Sequence, residues 1–420
     1  MRLHWAWVVA GVSFIALVGA ASFRAAPGAL IEPLRAEFGW TTGTISLAIS
    51  INLLLYGLTA PFAAALMDRF GVRVVVTFAL TMVALGSGLT VFMTASWQLV
   101  LLWGVIVGLG TGSMAMALVA TVVGRWFVAR RGLVSGILTA ASATGQLIFL
   151  PTIARIVEAD GWRTASLTIS ACALAVVPVV LLFLRERPAD VDELPYGGTP
   201  ADVVPPLRTG AARLAVGTLV RAARVRTFWL LAGGFFVCGA TTTGLVQQHF
   251  MPAAHDHGMP VTTAATLLAL VGVFDLVGTI GSGWLTDRFD PRILLGAYYG
   301  LRGVSLALLV PLFAADLSGS MLAFVIFYGL DWVATVPPTL ALARQAFGAA
   351  APVVFGWIFA SHQLGAACAA LAAGIVRDTL GSYDVAWLGG AALCVVGAVL
   401  SLSIGRRLAL APAPAPAPME

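Results

Sequence analysis

Long apolar runs, separated by short polar segments, follow one another along almost the whole chain. A membrane-spanning helix needs about 20 mainly apolar residues, and twelve runs are long enough. The runs are continuous and do not alternate between apolar and polar positions, so they predict helices and not the strands of a transmembrane barrel. In chain order, the predicted helices span residues 5–31, 43–66, 74–94, 97–126, 132–156, 164–184, 227–251, 262–286, 292–314, 318–345, 351–376 and 384–404.

The longest polar stretch, residues 185–226, divides the twelve predicted helices into two groups of six. We therefore predict an N-terminal six-helix bundle over residues 1–184, a cytoplasmic linker over 185–226 and a C-terminal six-helix bundle over 227–404. Alanine and proline alternate near the end of the chain, so residues 405–420 are predicted to form a disordered tail without a core.

The two halves of the chain resemble each other. The segment DRFGVR, residues 68–73, follows predicted helix 2, and DRFDPR, residues 287–292, follows predicted helix 8, at an offset of 287 − 68 = 219 residues. Four pairs of glycines recur at an offset of 219 or 220, and these are Gly39 and Gly258, Gly136 and Gly356, Gly145 and Gly365, and Gly161 and Gly381. The repeat predicts an all-α membrane protein with two pseudo-symmetric six-helix bundles and a functional site between them.

The composition excludes an ordinary soluble protein. The chain is 60% hydrophobic and 10% charged, whereas soluble domains carry about 25% charged residues. The cysteines lie inside apolar runs without metal-ligand spacing, so we interpret them as small buried residues. They are Cys172, Cys238, Cys368 and Cys394.

The distribution of arginines predicts the orientation in the membrane. All 24 basic residues are arginines, of which 18 lie in segments on one side of the predicted helices and 4 on the other. The positive-inside rule therefore places both termini in the cytoplasm, and we expect a multi-pass protein of the cell inner membrane. The arginines form no basic face with interleaved aromatic residues, so we expect no nucleic-acid partner. We expect a monomer.

The segment at residues 68–73 resembles the signature loop of the major facilitator superfamily of transporters. The resemblance implies that the acidic residue and two arginines of this loop latch the two halves together on the cytoplasmic side, and that the second half carries a weaker copy. The six gating-loop residues are Asp68, Arg69, Arg73, Asp287, Arg288 and Arg292.

A second resemblance is to the monocarboxylate transporters and their oxalate–formate antiporter relatives. It is carried by an aromatic pair, two arginines and spaced small residues in 126–136, and by the Trp-Ala-Trp segment at 5–7. The resemblance implies an organic-anion substrate, with Arg24 close to the position of a helix-1 lysine and Asp275 at that of a helix-8 acid. The helix-8 arginine of that group is replaced by Thr279 in this chain.

Four ionisable residues are predicted near the middle of the membrane, where each costs at least about 2.5–3.5 kcal/mol. We interpret Arg302 as a structural tie that pairs with Asp275, Asp331 or both, with a direct substrate role as the alternative. The excess negative charge of such a triad could be cancelled by a proton, so both acids are candidates for proton coupling. His362 is a further candidate for proton coupling, because histidine titrates near neutral pH, and also for substrate binding.

Arg24 lies in the predicted outer half of helix 1. It either snorkels to the outer interface or pairs with Glu32, or it attracts an anion into the cavity, for which a planar guanidinium is well suited. The other candidate substrate-binding residues are Asn52, Tyr56, Gln146, Gln247 and Tyr328.

The chain contains no HExxH, GxxxxGK[ST] or GxSxG segment, which argues against a membrane protease, an ATP-driven pump and an α/β-hydrolase. Three ligand-type residues in a row, 255–257, are a weak metal motif, and we predict no metal site and no cofactor. The sequence thus predicts a secondary active transporter of a small organic anion, driven by protons or by exchange for a counter-anion. The alternatives are an exporter of larger amphipathic compounds and, more remotely, a membrane sensor or enzyme that transports nothing.

Overall fold

A computed structural model describes residues 4–202, 211–314 and 318–405. Eleven helical segments in this part of the chain are long and apolar enough to span a membrane. They are Trp5–Phe38, Thr42–Phe70, Val72–Phe92, Ser96–Trp126, Arg131–Phe183, Arg226–Asp256, Val261–Thr286, Pro291–Phe313, Met321–Phe347, Ala351–Leu380 and Asp384–Leu402.

The segment Arg131–Phe183 contains two spans and not one. Its 53 residues are interrupted at Gly161, where φ is 82° and ψ is 170°. This conformation is open to glycine but strained for other residues, and it divides the segment into helix 5 (131–160) and helix 6 (162–183). The described residues therefore contain the twelve helices that the apolar pattern predicts.

Both described ends of the chain lie on the same face of the bundle, because the number of spans is even. We call this the terminal face, and it includes the turn at Gly71 and the linker. The opposite face, which we call the distal face, includes the turns at Gly39, Gly161, Gly258 and Gly381. All four of these glycines have positive φ, between 68° and 82°, so the internal repeat extends to the backbone conformation of the turns.

Two helices differ from their predicted continuous form. Helix 1 is kinked after Arg24 and continues as Pro27–Phe38, seven residues beyond its predicted end, with Pro27 at the start of the second segment. Helix 10 is broken into Ser318–Asp331 and Val336–Phe347. Pro337 and Pro338 favour this break, because they lack the N–H groups that a continuous helix requires.

A stripe of glycines on helix 4 brings helix 2 unusually close. A Cβ atom added to Gly108 would lie 3.0 Å from the Cα of Asn52, and one added to Gly112 would lie 2.8 Å from the Cα of Tyr56. Close backbone approach of this kind lets membrane helices pack without a hydrophobic driving force. The stripe therefore sets the position of two candidate site residues, although neither glycine touches the site itself.

The linker is attached to the terminal face. The Tyr196 ring packs against Trp7 at 5.6 Å and Phe127 at 6.0 Å, which are residues of the two segments that carry the monocarboxylate-transporter resemblance. A linker helix, Ala211–Ala222, follows, and its Ala215 carbonyl accepts a hydrogen bond from Trp357 Nε1 of helix 11 at 3.0 Å. Of the predicted tail, residues 406–420 lie outside the described residues.

We predict that Gly108→Leu destabilises the protein, because a side chain would separate helices 2 and 4 where their backbones approach closely. Overpacking of this kind costs about 1–3 kcal/mol. Thermal unfolding of the detergent-solubilised protein measures the effect. Gly124→Leu on the same helix is the matched control, since a Cβ at Gly124 has nothing within 4 Å. Equal melting temperatures for the two variants would contradict the role of the stripe.

Candidate functional site

A narrow cavity with a mainly apolar wall and several polar groups lies between the two halves of the protein. Helices 1, 2 and 4 of the first half and helix 7 of the second half contribute to it. Its empty space, including the part that is open to the surroundings, is about 430 Å³. The lining residues are Phe23, Arg24, Pro27, Ile49, Asn52, Leu53, Tyr56, Trp103, Thr111, Thr243, Gln247 and Gln248.

Arg24 is the positive charge of this cavity. Its Nη1 donates a hydrogen bond to Tyr56 Oη at 3.1 Å, and its guanidinium lies 4.8 Å from the centre of the Tyr56 ring. Glu32, its predicted structural partner, pairs instead with Arg35 at 2.7 Å. Among the described residues, no carboxylate forms an ion pair with Arg24.

The kink in helix 1 explains how Arg24 reaches the boundary between the halves. Arg24 is the last residue of the first segment of helix 1, where the final carbonyl groups lack partners within the helix. Gln247 Nε2 of helix 7 lies 3.5 Å from the Arg24 carbonyl oxygen. Arg24 therefore lies at the boundary. Its backbone carbonyl faces helix 7 of the second half, and its side chain contacts Tyr56 on helix 2 of its own half.

Two helices that line the cavity contain π-helical segments, Val100–Val107 in helix 4 and Ala240–Val246 in helix 7. Such segments occur frequently at functional sites, because they turn side chains and carbonyl groups out of the regular helical register. The Trp103 carbonyl in the first segment accepts a hydrogen bond from Asn52 Nδ2 at 2.7 Å. Asn52 is thus held by helix 4 at the cavity wall.

Gln248 is a lining residue that the sequence analysis missed. It is 3% exposed, and its Nε2 donates to the Thr243 carbonyl at 3.3 Å, while its Oε1 has no donor among the described residues. The adjacent glutamines of helix 7 are a signal for this site in the sequence, but the sequence analysis predicted a substrate-binding role for Gln247 alone.

Three of the predicted substrate-binding residues do not line this cavity, and they are Tyr328, Gln146 and His362. Tyr328 is fully buried, and its hydroxyl donates to the Thr241 carbonyl at 2.7 Å, so it supports helix 7 from behind. In this conformation the Tyr328 hydroxyl is used within the second half, and a substrate-binding role for Tyr328 stays a prediction. Gln146 on helix 5 is half-buried and lies outside the cavity lining.

His362 lies deeper in the second half and is connected to the cavity by aromatic rings. Its ring stacks on Phe359 with centroids 5.7 Å apart, and Phe359 contacts the Tyr56 ring at 6.0 Å. The imidazole Nδ1 is buried and has no hydrogen-bond partner among the described residues. The rings of Tyr56, Phe359 and His362 thus form a row. It begins at the hydroxyl that contacts Arg24 and ends at the imidazole with the unpartnered nitrogen.

Arg302 and Asp331 form a buried ion pair, as predicted. Arg302 is fully buried and its Nε donates to Asp331 Oδ2 at 2.5 Å. Its Nη2 donates to the carbonyl oxygens of Asp331 and Trp332 at 2.6 and 3.3 Å, which are the last carbonyls before the break in helix 10. Its Nη1 contacts Cys238 Sγ at 3.2 Å, so this cysteine belongs to the polar cluster.

Asp275 acts on the other side of the same break. Its Oδ1 accepts hydrogen bonds from the Val333 N–H and from Thr279 Oγ1, both at 3.0 Å. Asp275 does not form an ion pair with Arg302, so only one of the two acids pairs with the arginine. At the break, a cation thus lies beside carbonyls that have no partner within the helix, and an anion lies beside an N–H that has none. This is the arrangement that the backbone dipoles favour.

The signature-loop residues of the first half make their contacts within that half. Asp68 pairs with Arg125, and Arg73 Nε donates to the Leu184 carbonyl at 3.2 Å. Glu186, which the sequence analysis missed, accepts from the N–H groups of Val72 and Arg73 at 2.6 and 2.9 Å. A latch between the halves remains a prediction for a conformation that is closed at this face.

The second copy of the loop behaves similarly. Arg292 pairs with Asp290 and donates to the Ile404 carbonyl at 2.9 Å, while Arg288 lies 4.0 Å over the Trp284 ring. Asp287 is exposed.

The weak metal motif at 255–257 has other contacts, since Asp256 pairs with Arg377 at 2.6 Å and His257 Nδ1 lies 2.8 Å from the Ala253 carbonyl.

Two six-helix halves with a cavity between them are the architecture of a membrane transporter. The family model described as Major Facilitator Superfamily matches residues 12–351 and 249–418. The chain belongs to this superfamily, whose fold and activity are those of transporters and not of enzymes.

Relatives with known sequences agree with this assignment. The chain is 23% identical over 412 residues to the uncharacterized MFS-type transporter YcxA of Bacillus subtilis (strain 168), with 95% of this chain and 94% of that protein covered. It is 26% identical over 419 residues to monocarboxylate transporter 11 of Homo sapiens, with 96% and 84% covered. The crystal structure of a D-xylose–proton symporter has the same fold, with a TM-score of 0.73 at 16% identity and coverage of 94% and 97%.

We predict that Arg302→Gln sharply lowers the yield of folded protein. Removing one partner of a buried ion pair costs about 3–5 kcal/mol, and this change also leaves the carbonyls at the helix-10 break without a cation. Folded yield and melting temperature by fluorescence-detected size exclusion are the measurements. Arg288→Gln, at an exposed arginine, is the control and should fold normally. Normal folding of Arg302→Gln together with lost uptake would instead assign Arg302 to the transport chemistry.

Proposed function

We propose that the protein is a secondary active transporter that carries a small, monocarboxylate-like organic anion, coupled to protons or to a counter-anion. The observation that carries the proposal is Arg24, a cation that lines the cavity between the halves without a carboxylate partner among the described residues. We also propose that the protein lies in the cell inner membrane with both termini in the cytoplasm.

An arginine without an ion-pair partner inside a membrane protein is costly, and such residues are usually functional. A carboxylate can accept two parallel hydrogen bonds from one guanidinium, which would provide the missing counter-charge. Arg24 donates to the Tyr56 oxygen, so the phenolic hydrogen stays available as a further donor to the anion. The pair therefore offers donors and positive charge at one point of the cavity.

The other cavity walls suit a small substrate with an apolar body. Phe23, Ile49, Leu53 and Trp103 supply the apolar surface, and the polar groups come from Asn52 and from the helix-7 residues Thr243, Gln247 and Gln248. An exporter of large amphipathic cations would require a wider cavity with an acidic residue in it. The acids of the second half do not line this cavity, so its charge favours an anion.

The relatives support the same substrate class at low identity, since several of them are named monocarboxylate transporters. Thr279 stands in this chain where the monocarboxylate transporters carry a helix-8 arginine, and the structure shows what this threonine contacts. The Thr279 hydroxyl donates to Asp275, so in this chain Arg24 is the cation left to meet the anion.

Proton coupling is proposed for the buried cluster of the second half. Asp275 accepts hydrogen bonds at the helix-10 break, and both Asp331 Oδ1 and His362 Nδ1 are buried without a partner among the described residues. Each unpartnered atom is a position where a proton could bind and complete a hydrogen bond in another conformation. The aromatic row from His362 to Tyr56 connects this cluster to the cavity.

We predict that Arg24→Gln abolishes uptake of organic acids by proteoliposomes and leaves folding intact, because the anion loses its charged partner. The panel contains monocarboxylates, dicarboxylates, aromatic acids and organic cations, with and without a pH gradient. Arg35→Gln is the matched control, since Arg35 pairs with Glu32 away from the cavity, and its uptake should be that of the parent. Transport of cations and of no acid by the parent protein would contradict the proposal.

We predict that Asp275→Asn removes the stimulation of uptake by a pH gradient and leaves substrate exchange across the membrane at equal pH. Asparagine keeps an oxygen that can accept from the Val333 N–H but cannot release a proton, so only the coupled step is lost. Asp192→Asn, at an exposed aspartate of the linker, is the control. If Asp275→Asn retains gradient-driven uptake at the parent level, Asp275 is not the proton-coupling residue.

A further inference from the structure

We propose that Glu158 and Asp378 are a pair of symmetric latches that hold the distal face of the transporter closed. Each carboxylate lies at the distal end of a helix in one half and caps the first residues of a helix in the other half. The inference rests on the transporter fold and not on the proposed substrate.

Asp378 joins helix 11 to helix 2. Its Oδ1 accepts a hydrogen bond from the Thr42 N–H at 2.9 Å, and its Oδ2 accepts one from the Gly43 N–H at 2.6 Å. A Cβ at Gly43 would lie 2.9 Å from Asp378 Oδ2, so the absence of a side chain permits this close approach. One carboxylate thus holds two N–H groups of the opposite half.

Glu158 joins helix 5 to helix 8 in the reverse direction. Its Oε1 accepts a hydrogen bond from the Thr262 N–H at 2.9 Å. The two latches obey the internal repeat, because 378 − 158 = 220 and 262 − 42 = 220. A single contact between a carboxylate and a helix end could be incidental, but two that are related by the repeat and cross the boundary in opposite directions form one device.

The N–H groups at the start of a helix have no partner within the helix and carry its positive dipole end. Helix 2 has an N-cap of its own, Thr41, but that side chain serves only Thr44. Helix 8 follows Pro260, which makes no side-chain cap. The described contacts therefore leave the caps of Thr42, Gly43 and Thr262 to residues of the opposite half.

The two latches lie at the distal ends of the contacts between the halves. Helices 2 and 11 also touch farther along, where a Cβ added to Gly57 would clash with the Cβ of Gln363 and the rings of Phe62 and Trp357 lie 5.8 Å apart. The latches act at the distal end, and opening that face must break all three of their hydrogen bonds. The latches bias the transporter toward conformations that open at the terminal face.

The test measures access to the cavity from each face. A reporter cysteine, Ile49→Cys, is placed in the cavity wall, with Cys172→Ser and Cys368→Ser removing the native cysteines that are not buried. A membrane-impermeant maleimide is applied to right-side-out and to inside-out vesicles. An exposed marker, His255→Cys, identifies which vesicle surface presents the distal face.

We expect Glu158→Ala or Asp378→Ala to raise labelling from the distal side about fivefold and the double variant about twenty-five-fold, with a fall in labelling from the terminal side. These factors correspond to about 1 kcal/mol for each lost helix cap. If the alanine variants fold poorly, Glu158→Gln with Asp378→Asn serves instead, with a smaller shift because each amide retains one acceptor. Asp160→Ala, in the same turn as Glu158, is the control.

Three outcomes would overturn the proposal. These are unchanged distal labelling in the double variant, an equal rise in the Asp160→Ala control, and an equal rise from both sides, which would indicate loosening and not gate opening. If the parent protein transported none of the acids in the substrate panel, that result would count against the proposed substrate. It would leave the labelling experiment unaffected.

Discussion

Backbone groups and charges inside a membrane have no water to bind, so each must find a partner within the protein, and this structure depends on that constraint wherever a helix begins, ends or breaks. At the break in helix 10, Arg302 donates hydrogen bonds to the backbone carbonyls, and Asp275 accepts a hydrogen bond from a backbone N–H. At the distal face, Glu158 and Asp378 accept hydrogen bonds from the first N–H groups of helices in the opposite half. Asp275, Glu158 and Asp378 are thus partners of backbone dipoles.

Arg24 stands out against this background, because a charge that is not used to complete the backbone is available to a ligand. It lies at a kink, beside a phenol, and at the boundary that alternating access must open and close. The same boundary carries the distal latches. Helix 2 takes part in both, since Asn52 and Tyr56 line the cavity and the first N–H groups of this helix bind Asp378. The proposed substrate binding and the proposed closure of the distal face therefore share one helix.

The scaffold is symmetric while its chemistry is not. The turns and the distal latches recur at the offset of the repeat. The charged residues within the helices do not recur: the position equivalent to Arg302 in the first half is Met82, and the position equivalent to Arg24 in the second half is Gly244. One half carries Arg24, the proposed partner of the anion, and the other carries the buried acids proposed for proton coupling, so the two proposed roles lie in different halves.

The sequence by itself determined the twelve spans, the two halves and the superfamily, because these depend on local hydrophobicity and on a repeat that can be read along the chain. It also predicted the pairing of Arg302 with an acid, since an arginine at that depth requires one. Only the tertiary structure decided which way the side chains of Arg24 and Tyr328 point, because helical faces are assigned by neighbours that are distant in sequence. The cross-boundary caps of Glu158 and Asp378 escaped notice for the same reason: each joins residues more than a hundred positions apart, and neither partner carries a signal of its own.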